Sequence, residues 1–151
     1  MLGVKTKSNT YYLETGRWGT LEINPDETIH FPRGIPGFES CRHFAIFDTA
    51  DMKPFRWLIC LDDSQTGFVI IDPLLFCADY YPKLFNSDLS ETGYSKSDRI
   101  SLYAIVTISN DPKESTANLQ GPLLINLTKK MGKQIVVVDE RYSVKYKILK
   151  E

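Results

Sequence analysis

Apolar and polar side chains alternate with a period of two along much of this chain, which is the pattern of strands that bury one face. The segment "GTLEIN" places Leu21 and Ile23 on the same side. Near the C-terminus, "YSVKYKIL" places four apolar side chains on one side: Tyr142, Val144, Tyr146 and Ile148. The alternation predicts a strand in each segment.

Two segments in the middle of the chain are apolar almost throughout, namely "FRWLICL" (55–61) and "GFVIID" (67–72). Continuous apolar runs of this length are expected of central strands that are buried on both faces. The longest strand candidate is "ISLYAIVTIS" (100–109), and "HFAIF" (43–47) precedes the central pair. The pattern therefore predicts a sheet-rich core.

The connections between these segments predict tight turns and almost no helix. Pro25-Asp26 predicts a hairpin connection between "GTLEIN" and "ETIHF", and Gly132 predicts the tight turn between "PLLINLT" and "QIVVVD". The polar stretch within residues 73–98 predicts one helical turn at Ser87–Thr92, with Ser87 as its N-cap. Eight or nine short strands with minimal helix predict an all-β, single-domain fold, either a barrel or a sandwich.

Composition and charge narrow the classes of function. The chain has 151 residues, of which 42% are hydrophobic and 25% charged, as in one globular domain. A net charge of −1 argues against a general nucleic-acid binder, because such a protein needs surplus Lys and Arg. Residues 1–128 hold 11 basic and 16 acidic side chains, whereas residues 129–151 hold 7 and 3. Solvated strand faces are the simpler explanation of this asymmetry, and the orientation of a charged partner is the alternative.

Candidate catalytic and metal-binding residues are few. Cys41-x-His43 places two possible ligands on one strand face, but a zinc site needs three or four. The acidic pair Asp62-Asp63 follows a strand candidate, as does Asp72, and aspartate at a strand end is usually turn chemistry. No Gly-x-Ser-x-Gly elbow and no glycine-rich phosphate loop occurs. We expect no catalytic residue, no cofactor and no bound metal.

The cysteines and the termini predict the compartment. Three cysteines without a CxxC pair, at positions 41, 60 and 77, argue against a disulfide framework and for a reducing cytoplasm. The first ten residues have no apolar core, so no signal peptide is expected. The apolar stretches are too short to span a membrane.

Two aromatic doublets and one apolar turn are the remaining candidates for recognition. Tyr11-Tyr12 and Tyr80-Tyr81 have the residue type that stacks nucleobases on a small barrel, although Asp79 and not a basic residue adjoins the second doublet. The turn "RGIPGFE" (33–39) contains Ile35 and Phe38, which turn geometry does not require. This loop is therefore either a corner of the fold or a surface that a partner contacts.

Taken in order and spacing, the segments resemble the flagellar assembly factor FliW family. The resemblance runs from residue 14 almost to the C-terminus. Its pieces, each weak alone, are "ETGRWGTLEI" (14–23), "IHFPRGIPGFE" (29–39), "HFAIF" (43–47), "FRWLICLDD" (55–63), "GFVIIDPLLF" (67–76), "DYYPKL" (79–84), "LYAIVTI" (102–108), "STANLQGPLLIN" (115–126) and "GKQIVVVDERYS" (132–143).

This resemblance implies a partly open, β-barrel-like domain over residues 14–151, preceded by an N-terminal extension at residues 1–13. It implies a cytoplasmic protein without catalytic activity, which binds flagellin and the translational regulator CsrA stoichiometrically. We expect the protein to be a monomer. When flagellin is scarce, such a protein holds CsrA off the flagellin messenger. When flagellin accumulates, it occupies the protein, and CsrA represses translation. Neither nucleic acid nor membrane is expected as a direct partner.

Residue type and motif membership give the expected partner surface. The first set lies in the Arg33–Glu39 loop and comprises Ile35, Pro36, Phe38 and Glu39. The second set consists of acidic and aromatic groups that suit a basic partner: Asp72, Asp79 and Tyr80. A buried Phe38 ring would indicate a structural role in the fold, whereas a ring exposed beside Ile35 would indicate a partner interface. The alternative function is that of a small β-barrel RNA-binding protein.

Overall fold

The computed structural model describes residues 10–149, which form β-strands joined by short connections and one helix. The helix, α1, spans Asn86–Glu91. No helix in this range is long and apolar enough to cross a membrane. The strands are β1 (Tyr11–Thr15), β2 (Gly19–Ile23), β3 (Ile29–His30), β4 (His43–Phe47), β5 (Arg56–Cys60), β6 (Gly67–Ile71), β7 (Ile100–Thr107), β8 (Thr116–Ala117), β9 (Leu123–Asn126), β10 (Met131–Gln134) and β11 (Tyr146–Lys147).

Seven of these strands close into a barrel. They are hydrogen-bonded in the order β7-β6-β5-β4-β3-β10-β9, and β9 pairs back onto β7. Every pair in the ring is antiparallel except β10 with β3. The edge of β7 that pairs with β9 continues beyond it. There, Val106 and Thr107 pair with β8, which in turn pairs with β11. The predicted all-β, barrel-like fold with minimal helix is therefore confirmed.

Two apolar clusters lie on opposite faces of this sheet. Because successive strand residues point to opposite faces, Ile70 faces the barrel interior and Ile71 the outside. The interior cluster comprises Ile29, Phe31, Ile35, Cys41, Phe44, Leu58, Cys60, Ile70, Leu123 and Ile125. The outer cluster comprises Ile71, Cys77, Tyr80, Ala104, Val106, Ala117, Leu119, Leu124, Ile135, Val137 and Tyr142. Burial on both faces explains the nearly continuous apolar sequence of the central strands.

The β1–β2 hairpin forms a separate two-stranded sheet. Trp18, in its turn, packs edge to face on Trp57 of β5 with ring centroids 5.3 Å apart, and it lies over Gly67 of β6. The predicted hairpin at Pro25-Asp26 is wrong, because β2 pairs with β1 and Pro25–Glu27 is a 3-10 turn. Of the predicted extension at 1–13, residues 1–9 lie outside the described residues, and β1 begins at Tyr11.

The turn between β9 and β10 lies earlier than predicted. Asn126 Oδ1 accepts hydrogen bonds from the backbone N–H groups of Thr128 and Lys129 at 3.1 and 3.0 Å, and Lys130 takes the positive φ of 59°. Gly132 is a strand residue opposite Ile125, so its predicted turn role is wrong.

The predicted helix is confirmed to within a residue, but its predicted cap is not. Phe85 occupies the N-cap position without a side-chain hydrogen bond, and Ser87 lies inside α1. The predicted strand over residues 142–149 is reduced to β11. Tyr142 is buried in the outer cluster whereas Val144 is exposed, so these two side chains do not share a face.

A polar cluster ties the segment after α1 to the β9–β10 turn. The fully buried Asn126 donates through Nδ2 to the Thr92 carbonyl at 3.1 Å and to the Asp98 carboxylate at 2.9 Å. Lys129 Nζ donates to the same Asp98 oxygen at 2.8 Å. The Lys129 ammonium, the Asn126 amide and the Ser95 N–H together lower the pKa of Asp98 to about 2.

This cluster predicts an acid-dependent contribution to stability. Because folding depresses the pKa of Asp98, its contribution to the free energy of unfolding is complete above the ordinary value of 3.8 and is lost as pH falls toward about 2. Asp98→Asn is expected to be less stable than the parent at pH 7 and to lose less stability between those two pH values. Urea denaturation at a series of pH values measures both effects. An unchanged pH profile in Asp98→Asn would contradict the assignment, and the exposed Asp51→Asn is the control.

Candidate functional site

The Arg33–Glu39 loop is a glycine-dependent bend with one residue pointing inward. Gly34 and Gly37 have φ values of 65° and 90°, in the left-handed region that favours glycine. The Phe38 N–H donates to the Ile35 carbonyl at 2.6 Å and closes the bend. Ile35 is 3% exposed in the interior cluster, whereas Phe38 is 42% exposed and packs edge to face on Phe68 at 5.1 Å.

The loop candidates therefore separate into core and surface. The expectation that Ile35 anchors a partner is corrected, since its side chain fills the barrel. Pro36, Phe38 and Glu39 are exposed. The backbone N–H of Gly37 donates to Glu39 Oε2 at 3.0 Å and lowers the pKa of that carboxyl, so Glu39 presents a negative charge.

Two depressions lie on either side of Pro36. One has a volume of about 210 Å³ and lies between the loop and β10, where Lys133 and Gln134 form its other wall. The second, of about 270 Å³, continues past Gln134 to Val136 and Val144. We call the exposed side of residues 33–39 together with residues 133–138 the loop surface.

A larger groove contains part of the second candidate set. It has a volume of about 300 Å³, its floor is formed by residues 100–103 of β7, and its walls are residues 72–74 and 80–84. We call it the β7 groove. Two large apolar side chains on its walls are exposed, Leu74 at 53% and Tyr81 at 87%. Asp72, on the rim, caps a 3-10 turn by accepting from the Leu74 N–H at 3.0 Å.

Tyr80 lines one wall of the β7 groove, but it is almost entirely buried and mainly holds that wall in place. It is 4% exposed and its hydroxyl donates to the Leu119 carbonyl at 2.7 Å, while burial raises the pKa of the phenol. Its ring meets that of Tyr142 at 4.6 Å. The Tyr142 hydroxyl donates to the Asp79 carbonyl at 3.2 Å and accepts from the Tyr81 N–H at 3.1 Å.

The second candidate set is corrected accordingly. Tyr80 is a core residue, and its neighbour Tyr81 is the aromatic residue that points outward. Asp79 remains exposed, and its carboxylate accepts from Cys77 Sγ at 3.4 Å. In the other doublet both Tyr11 and Tyr12 are exposed, so a Tyr-Tyr pair in the sequence does not by itself indicate which ring is buried.

The residues considered as metal ligands do not lie together as expected. Cys41 is buried, whereas His43 is exposed and stacks on His30, so the predicted shared strand face is wrong. Among residues 10–149, no three His, Cys, Asp or Glu side chains are arranged to hold a metal ion. Asp63 accepts from the Gln65 N–H and the Thr66 hydroxyl, as predicted for turn chemistry. Asp62 instead accepts from the N–H groups of Arg42 and His43 on a neighbouring segment.

Helix α1 connects the loop surface to the β7 groove. Glu91 pairs with Arg33 Nε at 3.1 Å and with Lys133 Nζ at 3.2 Å, and Asp88 pairs with the same Lys133 atom at 2.8 Å. The helix follows directly on residues 80–84, which form the groove wall. One short element therefore contacts the loop surface and is continuous with a wall of the β7 groove.

Comparison with known proteins gives a consistent set of relatives. The sequence profile of the family described as "FliW protein" matches residues 12–148. The flagellar assembly factor FliW of Thermosipho africanus is 39% identical over 133 residues, covering 87% of this chain and 92% of that protein. That of Alkaliphilus metalliredigens is 37% identical, with coverages of 92% and 86%. A crystal structure of the flagellar assembly factor FliW superposes with a TM-score of 0.85 at 29% identity, covering 93% of this chain and 99% of the other.

Proposed function

The chain belongs to the FliW family of flagellar assembly factors, and we propose on this premise that it acts without catalysis, by binding two protein partners. The partners are flagellin and the translational regulator CsrA. Free protein holds CsrA away from the flagellin messenger, and flagellin occupies the protein when it accumulates. The protein thereby couples the flagellin level to flagellin translation in the cytoplasm.

The observation that supports this proposal is the exposed apolar surface of the β7 groove. Leu74 and Tyr81 line the groove, and Leu75 and Phe85 beside them are 60% and 49% exposed. Clustered exposed side chains of this size are typical of protein-binding sites. Tyrosine is enriched at the energetic centres of such sites. The groove walls are fixed by the Tyr80 and Tyr142 hydrogen bonds, which limits the entropy lost on binding.

A switch also requires that the two partners oppose one another. Negative coupling needs either a shared surface or an element that both sites bias. Helix α1 supplies such an element, because its ion pairs with Arg33 and Lys133 connect it to the loop surface. We therefore place partner contacts on the β7 groove and on the loop surface, where Asp72, Asp79, Pro36, Phe38 and Glu39 are the exposed members of the candidate sets.

Tyr81→Ala is expected to weaken the affinity for at least one partner by about tenfold or more, the range of a binding hot spot. The ring is 87% exposed, so thermal stability is expected to remain unchanged. Isothermal titration of purified flagellin monomer and of purified CsrA into the variant measures both affinities. Tyr12→Ala, which removes a ring that is 68% exposed on β1, is the matched control. Unchanged affinity for both partners would contradict the assignment of the groove.

A further inference from the structure

The segment that follows β10 leaves one backbone edge open. Past the end of the strand, the N–H groups of Ile135 and Val137 still donate to the carbonyls of Pro122 and Gln120, at 3.0 and 2.8 Å. These bonds continue the β9–β10 register, in which Gln134 lies opposite Leu123. The backbone groups of the intervening residues therefore point the other way, toward the side of β3.

The edge of residues 130–138 that faces β3 is hydrogen-bonded within the described part of the chain only near its start. The His30 N–H donates to the Lys130 carbonyl at 2.9 Å, and β3 then ends at His30. Farther along, the backbone N–H groups of Val136 and Val138 have no hydrogen-bond partner among residues 10–149. The depressions beside Pro36 lie along this stretch.

The side chains on the open stretch are apolar and exposed. Even-numbered residues of β10 face the barrel interior, where Gly132 meets the ring of Phe31. Beyond Gln134 the barrel ends, and Val136 and Val138 are 73% and 94% exposed. Proteins usually protect such an edge with lysine or proline, and residues 134–139 contain neither.

Charges of both signs surround this edge, so charge does not choose its occupant. The two cations of the loop surface that carry ion pairs are neutralised by α1. Among the exposed side chains that form no ion pair within the described residues, Glu39 and Glu140 are negative, and Arg42 and Lys145 are positive. The features that an occupant can match are therefore the open backbone groups and the exposed valines.

We propose that residues 134–138 bind an extended segment of another protein by strand addition, in the space between this edge and the Arg33–Glu39 loop. The open backbone groups of Val136 and Val138 pair with the main chain of the added strand. Its apolar side chains, at alternate positions, cover the two valines. The proposal does not depend on the identity of the partners named above.

The test uses a displayed library of random peptides of about twelve residues, a length that spans the edge with flanking residues on both sides. The full chain should select peptides in which apolar and polar residues alternate. Val136→Pro removes the N–H while costing the folded chain no hydrogen bond, and Val136→Thr retains the N–H and the branched shape. Fluorescence polarisation of a selected peptide is expected to show at least a tenfold loss of affinity with the proline variant, and a smaller loss with the threonine variant.

Val138→Pro, which also removes a free N–H, provides a second edge variant if Val136→Pro unfolds on thermal melting. Three outcomes would overturn the proposal. In the first, the library yields no peptide that prefers the parent protein over the folded proline variant. In the second, the selected peptides bind the parent protein and the proline variant with equal affinity. Alternatively, sedimentation shows that the protein alone dimerises and that the proline variant does not, which assigns the edge to a second copy of the chain.

Discussion

Gly34→Ala is expected to lower the free energy of unfolding by about 3 kcal/mol or more. The φ of 65° costs an L-residue about 1 kcal/mol. The larger part is steric, because a Cβ at this position would lie 2.8 Å from Glu39 Cα and 2.9 Å from the carbonyl oxygens of Glu39 and Phe38. Backbone atoms have no rotamer by which to move away, so the bend itself must open. Urea denaturation monitored by tryptophan fluorescence measures the loss.

Gly37→Ala is the matched control for that experiment. Gly37 lies in the same loop with a φ of 90°, but a Cβ there would meet no atom within 4 Å. Its cost is therefore backbone strain alone, about 1–2 kcal/mol. If the two alanine variants lose the same stability, the close approach at Gly34 is not what holds the loop.

Gly132→Ala is expected to destabilise the barrel by about 3 kcal/mol, near the upper end of the range for overpacked cores. A Cβ at Gly132 would lie 2.7 Å from two ring carbons of Phe31, which is fully buried. Unlike Gly34, this glycine lies in a strand with no positive φ, so the cost is packing and not backbone strain. Thermal and urea unfolding of the variant measure it.

A second substitution separates packing from other causes. In Phe31→Leu the smaller side chain leaves a cavity but removes the ring carbons that the new methyl would strike. The double variant Gly132→Ala with Phe31→Leu is therefore expected to be more stable than the sum of the two single losses predicts. Strict additivity would contradict the contact between Gly132 and the ring.

Local sequence signals identify individual strands well and their partners poorly. The alternation and turn signals place β4 at residues 43–47, as the structure has it, and β5 and β6 within a residue or two. Pairing depends on contacts between distant segments, which explains the wrong hairpin at Pro25-Asp26 and the misplaced turn at Gly132. Gly132 serves close packing against Phe31, and its local sequence does not distinguish that role from a turn.

The sequence predicts which segments form the candidate site, but not which of their side chains are exposed, because burial depends on distant parts of the barrel. The loop motif leaves open which of its side chains are exposed. The structure exposes Pro36, Phe38 and Glu39, and the burial of Ile35 depends on the barrel interior beneath it. In "QIVVVD" three consecutive valines look equally apolar. Only the end of the barrel at Gln134 exposes Val136 and Val138 while Val137 remains buried.

The most direct test of partner switching is a competition measured with three purified proteins. Labelled CsrA is bound to the chain at saturation, and flagellin monomer is then titrated into the mixture while fluorescence anisotropy and analytical ultracentrifugation follow the complexes. Partner switching predicts that flagellin releases CsrA and that no complex of all three proteins forms. A stable ternary complex, in which the affinity for CsrA is unchanged by saturating flagellin, would contradict the proposed function.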